Sequence, residues 1–255
     1  MASAHMPEFS DDILLVVPVW NDSARLAGFG GGLAQAIAAS GLPVRWIIAD
    51  DGSDPEEAPK LRELCGRFAV TYPRVELHFA RRHLGKGGVV RDAWKLDPAA
   101  GWLAFVDADG STSAAEFLGL VGRAVNSGVS ALGVRKRTAT TRVEESVIRA
   151  LTHRGFLLAV RLMLGLHATD PQCGAKVLKA ADYRRIEPQL REDGLAFDSE
   201  MLAALQHDGA AWDEVPVNWV EKKGGKIRLF RDARRMLAAL FRIRAAHRRH
   251  GVRRG

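Results

Sequence analysis

The 255-residue chain has little cysteine, two residues in all, and only two tyrosines. Cys65 and Cys173 stand far apart with no metal-like spacing, which excludes a cysteine metal site and suits small buried side chains in a reducing cytoplasm. No apolar run approaches the roughly 20 residues that cross a bilayer, so no transmembrane helix is expected. The first apolar segment, "ILLVVPVW", is short and follows acidic residues, so no signal peptide is expected either. The first half lacks repeats and low-complexity tracts, and no Pro/Gly/Ser-rich linker separates it from the second. One cooperative unit over 6–255 is therefore expected, with "MASAH" (1–5) read as an expression leftover. Neither G-x-G-x-x-G nor a P-loop is present.

What is there is an ordinary globular composition, 47% apolar and 26% charged. The net charge of +7 is unevenly placed: residues 222–255 carry 13 Lys or Arg and one acid, Asp232, leaving about −5 on the rest. A mildly acidic body with a basic tail is unlike a uniformly basic nucleic-acid binder, so no nucleic-acid partner is expected.

Near-continuous apolar runs at 13–19, 44–50, 75–80, 101–107 and 129–134 alternate with helical stretches at 23–40, 55–71, 86–97 and 113–127. Runs without polar alternation suit strands covered on both faces. The fold class expected is α/β, with a mostly parallel central sheet flanked by helices. From about 140 the βαβ rhythm stops. A long helix at 143–166 and a strand-like 211–220 are expected to cap the sheet, and 227–255 to form a basic amphipathic helix. The chain then divides into 12–135, 136–226 and a tail, 227–255.

In such sheets ligands sit beyond the carboxyl ends of the strands. The polar clusters fall there: "WNDS", "DDGSD", "RRHLGKGG" and "DADGST". Asp107 and Asp109 leave a buried strand one residue apart, where like charges raise each other's pKa unless a cation intervenes. A hard ion, Mg²⁺ or Mn²⁺, suits such carboxylates together with substrate phosphates. The plain alternative is that Asp107 caps the helix beginning near Ser113. Asp50 or Asp51 could accept from a ribose or a base N–H, or Asp51-Gly52 could simply be a turn with Ser53 or Asp54 as a cap. In "HLGKGGVVRDAW", backbone amides, a helix N-terminus and Lys86 would favour a phosphate.

Taken in order, "VVPVWNDSARL", "DDGSD", "LGKGGVVRDAW", "FVDADGST", "DPQCGAKVL", "LAFDSEML" and "EVPVNWVEKKGGKI" resemble the dolichyl-phosphate glucosyltransferases of the inverting glycosyltransferase family 2. The resemblance covers about 12–245 and implies a GT-A fold. It also implies a UDP-sugar donor, usually UDP-glucose, and a polyprenyl phosphate acceptor. By position it puts Pro18, Val19, Asp22, Asp50, Asp51, Gly52, Lys86, Gly87, Arg91 and Ala108 at the nucleotide sugar, and Asp107 and Asp109 on the metal. The chain departs from the family pattern at Trp20 and Asp22, in the Gly224-Gly225-Lys226 stretch, and in lacking an amino-terminal membrane helix.

An acceptor phosphate is already anionic, so it needs cations rather than a base: Arg135, Arg149, Lys176, Lys222 and Lys226 are the candidates, with Lys86 and Arg135 acting at the reaction centre. A soluble hydroxyl acceptor would need a base instead, for which Asp198 is the candidate. A sugar nucleotidyltransferase and a non-catalytic adaptor are further alternatives. His83 and His207 read as structural or surface residues. The tail suits an anionic membrane surface, hence a peripheral protein at the cytoplasmic, inner face.

Overall fold

The computed structural model of the chain describes residues 12–222 and 229–251, with side chains of the last helix described over 234–246. Lys226 and Ile227, and the side chains of Phe230 and Ala233, lie outside the described residues.

The first half follows the expected rhythm: β1 (Ile13–Val19), α1 (Ser23–Ser40), β2 (Val44–Asp50), α2 (Glu57–Thr71), β3 (Val75–Phe79), α3 (Lys86–Trp94), β4 (Trp102–Val106), α4 (Ala114–Ser127) and β5 (Ser130–Val134). Side chains alternate across the sheet as a two-residue period requires. Leu14, Val16, Ile47 and Ala49 enter the core under α3, whereas Ile13, Leu15, Val17 and Ile48 face α1 and α2.

The second half differs from expectation. It gives β6 (Val143–Glu144), α5 (Val147–Leu164), β7 (Ala175–Lys179), α6 (Ala180–Ile186), α7 (Phe197–His207), β8 (Trp212–Pro216), β9 (Trp219–Val220) and α8 (Leu229–Gly251). The sheet order is β3-β2-β1-β4-β7-β5-β8. Strand β7 runs antiparallel between β4 and β5, so this half is threaded through the sheet and does more than cap it. Lys176, the second residue of β7, masks the strand in the sequence. The expected helix at 143–166 begins only after β6, which pairs with β9, and it ends at Gly165 in the left-handed conformation (φ 63°). The expected single strand at 211–220 breaks after Pro216: β8 joins the main sheet beside β5, and β9 pairs with β6.

Candidate active site

The four expected loops meet at the carboxyl ends of β1, β2 and β4 and the amino end of α3, around a cavity of about 580 Å³. Pro18, Val19, Asp22, Asp51, Lys86, Asp107, Ala108 and Asp109 line it. A second, smaller cavity of about 30 Å³ is lined by Arg135, Arg149, Thr112, Gln172, Gly174 and Trp219, and again by Asp107 and Asp109. The two carboxylates therefore face both spaces.

Each carboxylate is fixed by its surroundings. Asp51 Oδ1 accepts from the amides of Leu84 (2.6 Å) and Gly85 (3.2 Å), and Oδ2 lies 3.0 Å from His83 Nδ1. Burial raises its pKa and those amides pull it back down. Asp109 Oδ1 accepts from Ser111 N (2.8 Å), and its Oδ2 lies 3.9 Å from Arg25. Asp107 Oδ1 pairs with Lys86 Nζ at 2.6 Å. Burial disfavours the Lys86 charge, but Asp107, Asp198 and Asp109 outweigh it and hold the ammonium above its usual range. The helix after this loop is capped by Ser113, whose Oγ accepts from Glu116 N, so Asp107 is not the cap.

Asp107 and Asp109 fit a divalent cation by the chemistry of the donor set. They are two hard oxygen ligands one residue apart at a cavity floor, leaving positions for diphosphate oxygens and water. Among the described residues no cluster of three or more His, Cys, Asp or Glu offers a fuller metal cage. Gly174 keeps the Asp107 carboxylate in place: a Cβ there would come within 2.1 Å of Asp107 Oδ2.

Several expected contacts fall elsewhere. Asp50 lines neither cavity and accepts from Ser53 N (3.2 Å) within its own turn. Gly52, at φ +65°, makes the turn and packs on the backbone of Arg82 and His83. Gly87 packs against Phe197, where an added Cβ would come within 2.3 Å of the Phe197 Cβ. Arg91 pairs with Asp193 and sits 4.0 Å from Glu200, so it braces the 191–194 loop and does not reach the donor cavity.

Lys176 is wholly buried rather than offered to an acceptor. Its Nζ donates to the Cys173 carbonyl (2.6 Å) and lies 3.3 Å from Asp198 Oδ1. Asp198 is buried as well and lines neither cavity. Burial raises its pKa, with Lys176 and Lys86 opposing. In the structure it stands as the buried counter-ion of Lys176. Arg135 is held by both Asp170 oxygens (2.7 and 2.8 Å); against the cost of burial, the carboxylate drives the arginine pKa up and the guanidinium holds the Asp170 pKa well below the carboxylate range. Arg149 lies over the Trp219 ring at 5.0 Å and 3.3 Å from Glu221. Lys222 is exposed and lines neither cavity.

Sequence reasoning missed His83, which lines the donor cavity and stacks on Trp20 with ring centroids 4.5 Å apart. It also missed Asp170 and Gly174, both inside the quoted segment "DPQCGAKVL", and the α8 residues Arg235, Met236 and Arg242 that close one side of the donor cavity. The tail stripe was expected to face lipid. In the structure Ala239, Leu240 and Ile243 are buried, with α8 packed on α5, while Leu237 and Phe241 stay exposed.

Comparison with known proteins places this geometry in a class. No protein-family model matches the chain. It is similar to the dolichyl-phosphate beta-glucosyltransferase of Saccharomyces cerevisiae, 27% identical over 268 residues, spanning 96% of this chain and 79% of the relative. The enzyme of that name from Dictyostelium discoideum is 29% identical over 260 residues, 92% of this chain and 75% of the relative. Glycosyltransferase AglD of Haloferax volcanii is 28% identical, but the chain spans only 35% of its length. Among solved structures, Mycobacterium tuberculosis glucosyl-3-phosphoglycerate synthase in complex with Mn²⁺, UDP and phosphoglyceric acid superposes with a TM-score of 0.64 at 16% identity, covering 95% of this chain and 85% of that one. The fold is therefore the GT-A glycosyltransferase fold, and the curated relatives are glycosyltransferases.

Proposed function

We propose that the protein is an inverting, metal-dependent glycosyltransferase that moves a sugar, glucose in this reading, from a UDP-sugar to a polyprenyl phosphate. The observation that carries this is the shared floor: Asp107 and Asp109 face a large donor cavity on one side and the Arg135–Arg149 cavity on the other. The names of the sequence relatives supply the substrate class.

Asp51 and the Trp20–His83 stack offer an acceptor group and an aromatic face to a nucleobase. Mg²⁺ or Mn²⁺ held by Asp107 and Asp109 would neutralise the charge that develops on the leaving diphosphate. Lys86 stands at the same wall, its charge maintained by three carboxylates. Arg135 and Arg149 would hold the acceptor phosphate, which is already anionic and needs no base. Inaccessible Asp198 favours this acceptor over a hydroxyl. A lipid acceptor puts the work at a membrane, the cytoplasmic inner face in this reading. Among the described residues, no helix is long and apolar enough to cross a membrane.

The test is a panel of nucleotide sugars offered with a short polyprenyl phosphate or a hydroxyl acceptor. Transfer from UDP-glucose to the phosphate, lost in chelator, is the expected result. Transfer only to a hydroxyl would overturn the lipid-phosphate reading.

A further inference from the structure

Large apolar side chains are rarely left in water in a continuous row. Of eleven that are exposed among the described residues, seven lie on α5 and α8, two helices packed on each other. On α5 the row is Val147, Ile148, Leu151, Leu158 and Leu162, each between 59% and 75% exposed. With Gly155, positions 148, 151, 155, 158 and 162 keep the three-and-four spacing that puts residues on one helix face. Leu237 and Phe241 of α8 add to the exposed apolar surface.

Within the two helices the described charged side chains are basic, with Glu144 and Glu145 lying just before α5 and Arg149 and Arg242 paired with Glu221 and Glu192. Residues 147–164 contain Arg149, Arg154 and Arg161 and no acid, and the described side chains of α8 add Arg234, Arg235, Arg242 and Arg244, again with no acid. Arg154 and Arg161 are exposed beside the row. A second copy seated face to face would set arginine against arginine, which opposes association. An anionic bilayer surface satisfies both features, taking the apolar row at the acyl boundary and the guanidinium groups at headgroup phosphates.

We propose that α5 is the membrane-docking element, lying in the plane of an anionic lipid surface with Ile148, Leu151, Leu158 and Leu162 inserted. This deepens, and rests on, the lipid-acceptor reading, and it moves the docking role from the tail alone to a helix inside the acceptor half. The inward side of the same helix carries Phe156 and Val160 in the core and Arg149 at the small cavity. Docking α5 therefore brings the Arg135–Arg149 cavity to headgroup depth, where a lipid phosphate reaches it with its chain still in the bilayer.

The experiment uses the full chain and vesicles of phosphatidylcholine with or without phosphatidylglycerol, first with neither donor nor acceptor present. The parent should sediment with anionic vesicles at low salt and release as salt rises. Leu151→Glu/Leu158→Glu should lower the partition at least about tenfold, since charge is strongly disfavoured in the acyl region. Its thermal midpoint and its transfer to a short, water-soluble acceptor should match the parent. The milder Leu158→Ala should give an intermediate loss. An unchanged partition in the glutamate variant would overturn the proposal. So would a parent dimer that this variant dissolves while vesicle binding persists, which would make the row a subunit interface. Because the partition is measured without substrates, a protein that docks but transfers no sugar to polyprenyl phosphate would remove the functional reading and leave the docking face standing.

Discussion

The donor cavity and the Arg135–Arg149 cavity meet at Asp107 and Asp109, but opposite means hold them in shape. On the donor side, carboxylates are satisfied by backbone amides: Asp51 by Leu84 and Gly85, Asp109 by Ser111. On the acceptor side, cations are satisfied by side chains: Arg135 by Asp170, and Arg149 by Glu221 and the face of Trp219. Amide-held carboxylates keep free lone pairs and can still meet a cation. An arginine held at two of its nitrogens by a buried carboxylate keeps its charge and loses its mobility. The donor side can thus adapt around an ion, whereas the acceptor side is set rigidly in advance.

Loss of the shared floor should be the most damaging change. Asp109→Ala should lower turnover by about a thousandfold with the thermal midpoint little changed, as expected when charge stabilisation at a leaving group is removed. Steady-state kinetics with circular dichroism check this, and near-parent turnover would end the metal reading. Next comes the acceptor frame. Asp170→Asn strands Arg135 in a buried site, so unfolding in denaturant should show a loss of about 3 kcal/mol. A loss near zero would mean that the acceptor side is not rigidly set.

Gly174→Ala tests the contact between the two sides. The added methyl must displace the Asp107 carboxylate, and a misplacement of about 1 Å can lower turnover about a hundredfold. Arg149→Gln should raise the acceptor KM about tenfold while donor hydrolysis stays at the parent rate, consistent with loss of one charge-assisted contact. If both rates fall together, the cavities are not separable.

The smallest effect concerns the anchoring of α1 beside the donor loop. Lys60 and the amide of Ser23 hold Glu57 at a pKa of about 2, against an ordinary value of 4.5. The folded pKa lies below the unfolded one, so this contribution is full above about pH 4.5 and fades as pH falls toward 2. Glu57→Gln should therefore cost about 1 kcal/mol at neutral pH and flatten that acid limb, as read by unfolding at several pH values.

The donor side was legible because its signals are local. Buried strands reveal themselves as unbroken apolar runs, and the loop after each strand carried its Asp, Gly or Lys within a few residues. The second half was harder to read. Strand β7 hides behind Lys176, a residue that seldom lies in a sheet interior and is tolerated there because Asp198 and the Cys173 carbonyl meet its charge. Arg91, Lys176 and Asp198 looked like site residues because their charge was visible and their burial was not. His83 and Gly174 looked ordinary because their significance lies in what they touch.

By itself the sequence determined the alternation of strand and helix, the edge of the sheet that bears the chemistry, and the Asp107–Asp109 pair, since period and turn chemistry act over a few residues. Only the tertiary structure decided which charges remain available. Lys86 finds Asp107, Arg135 finds Asp170 and Lys176 finds Asp198 across 21, 35 and 22 residues of chain. Desolvation and Coulomb attraction depend on distance through space, and no spacing along the chain encodes that distance.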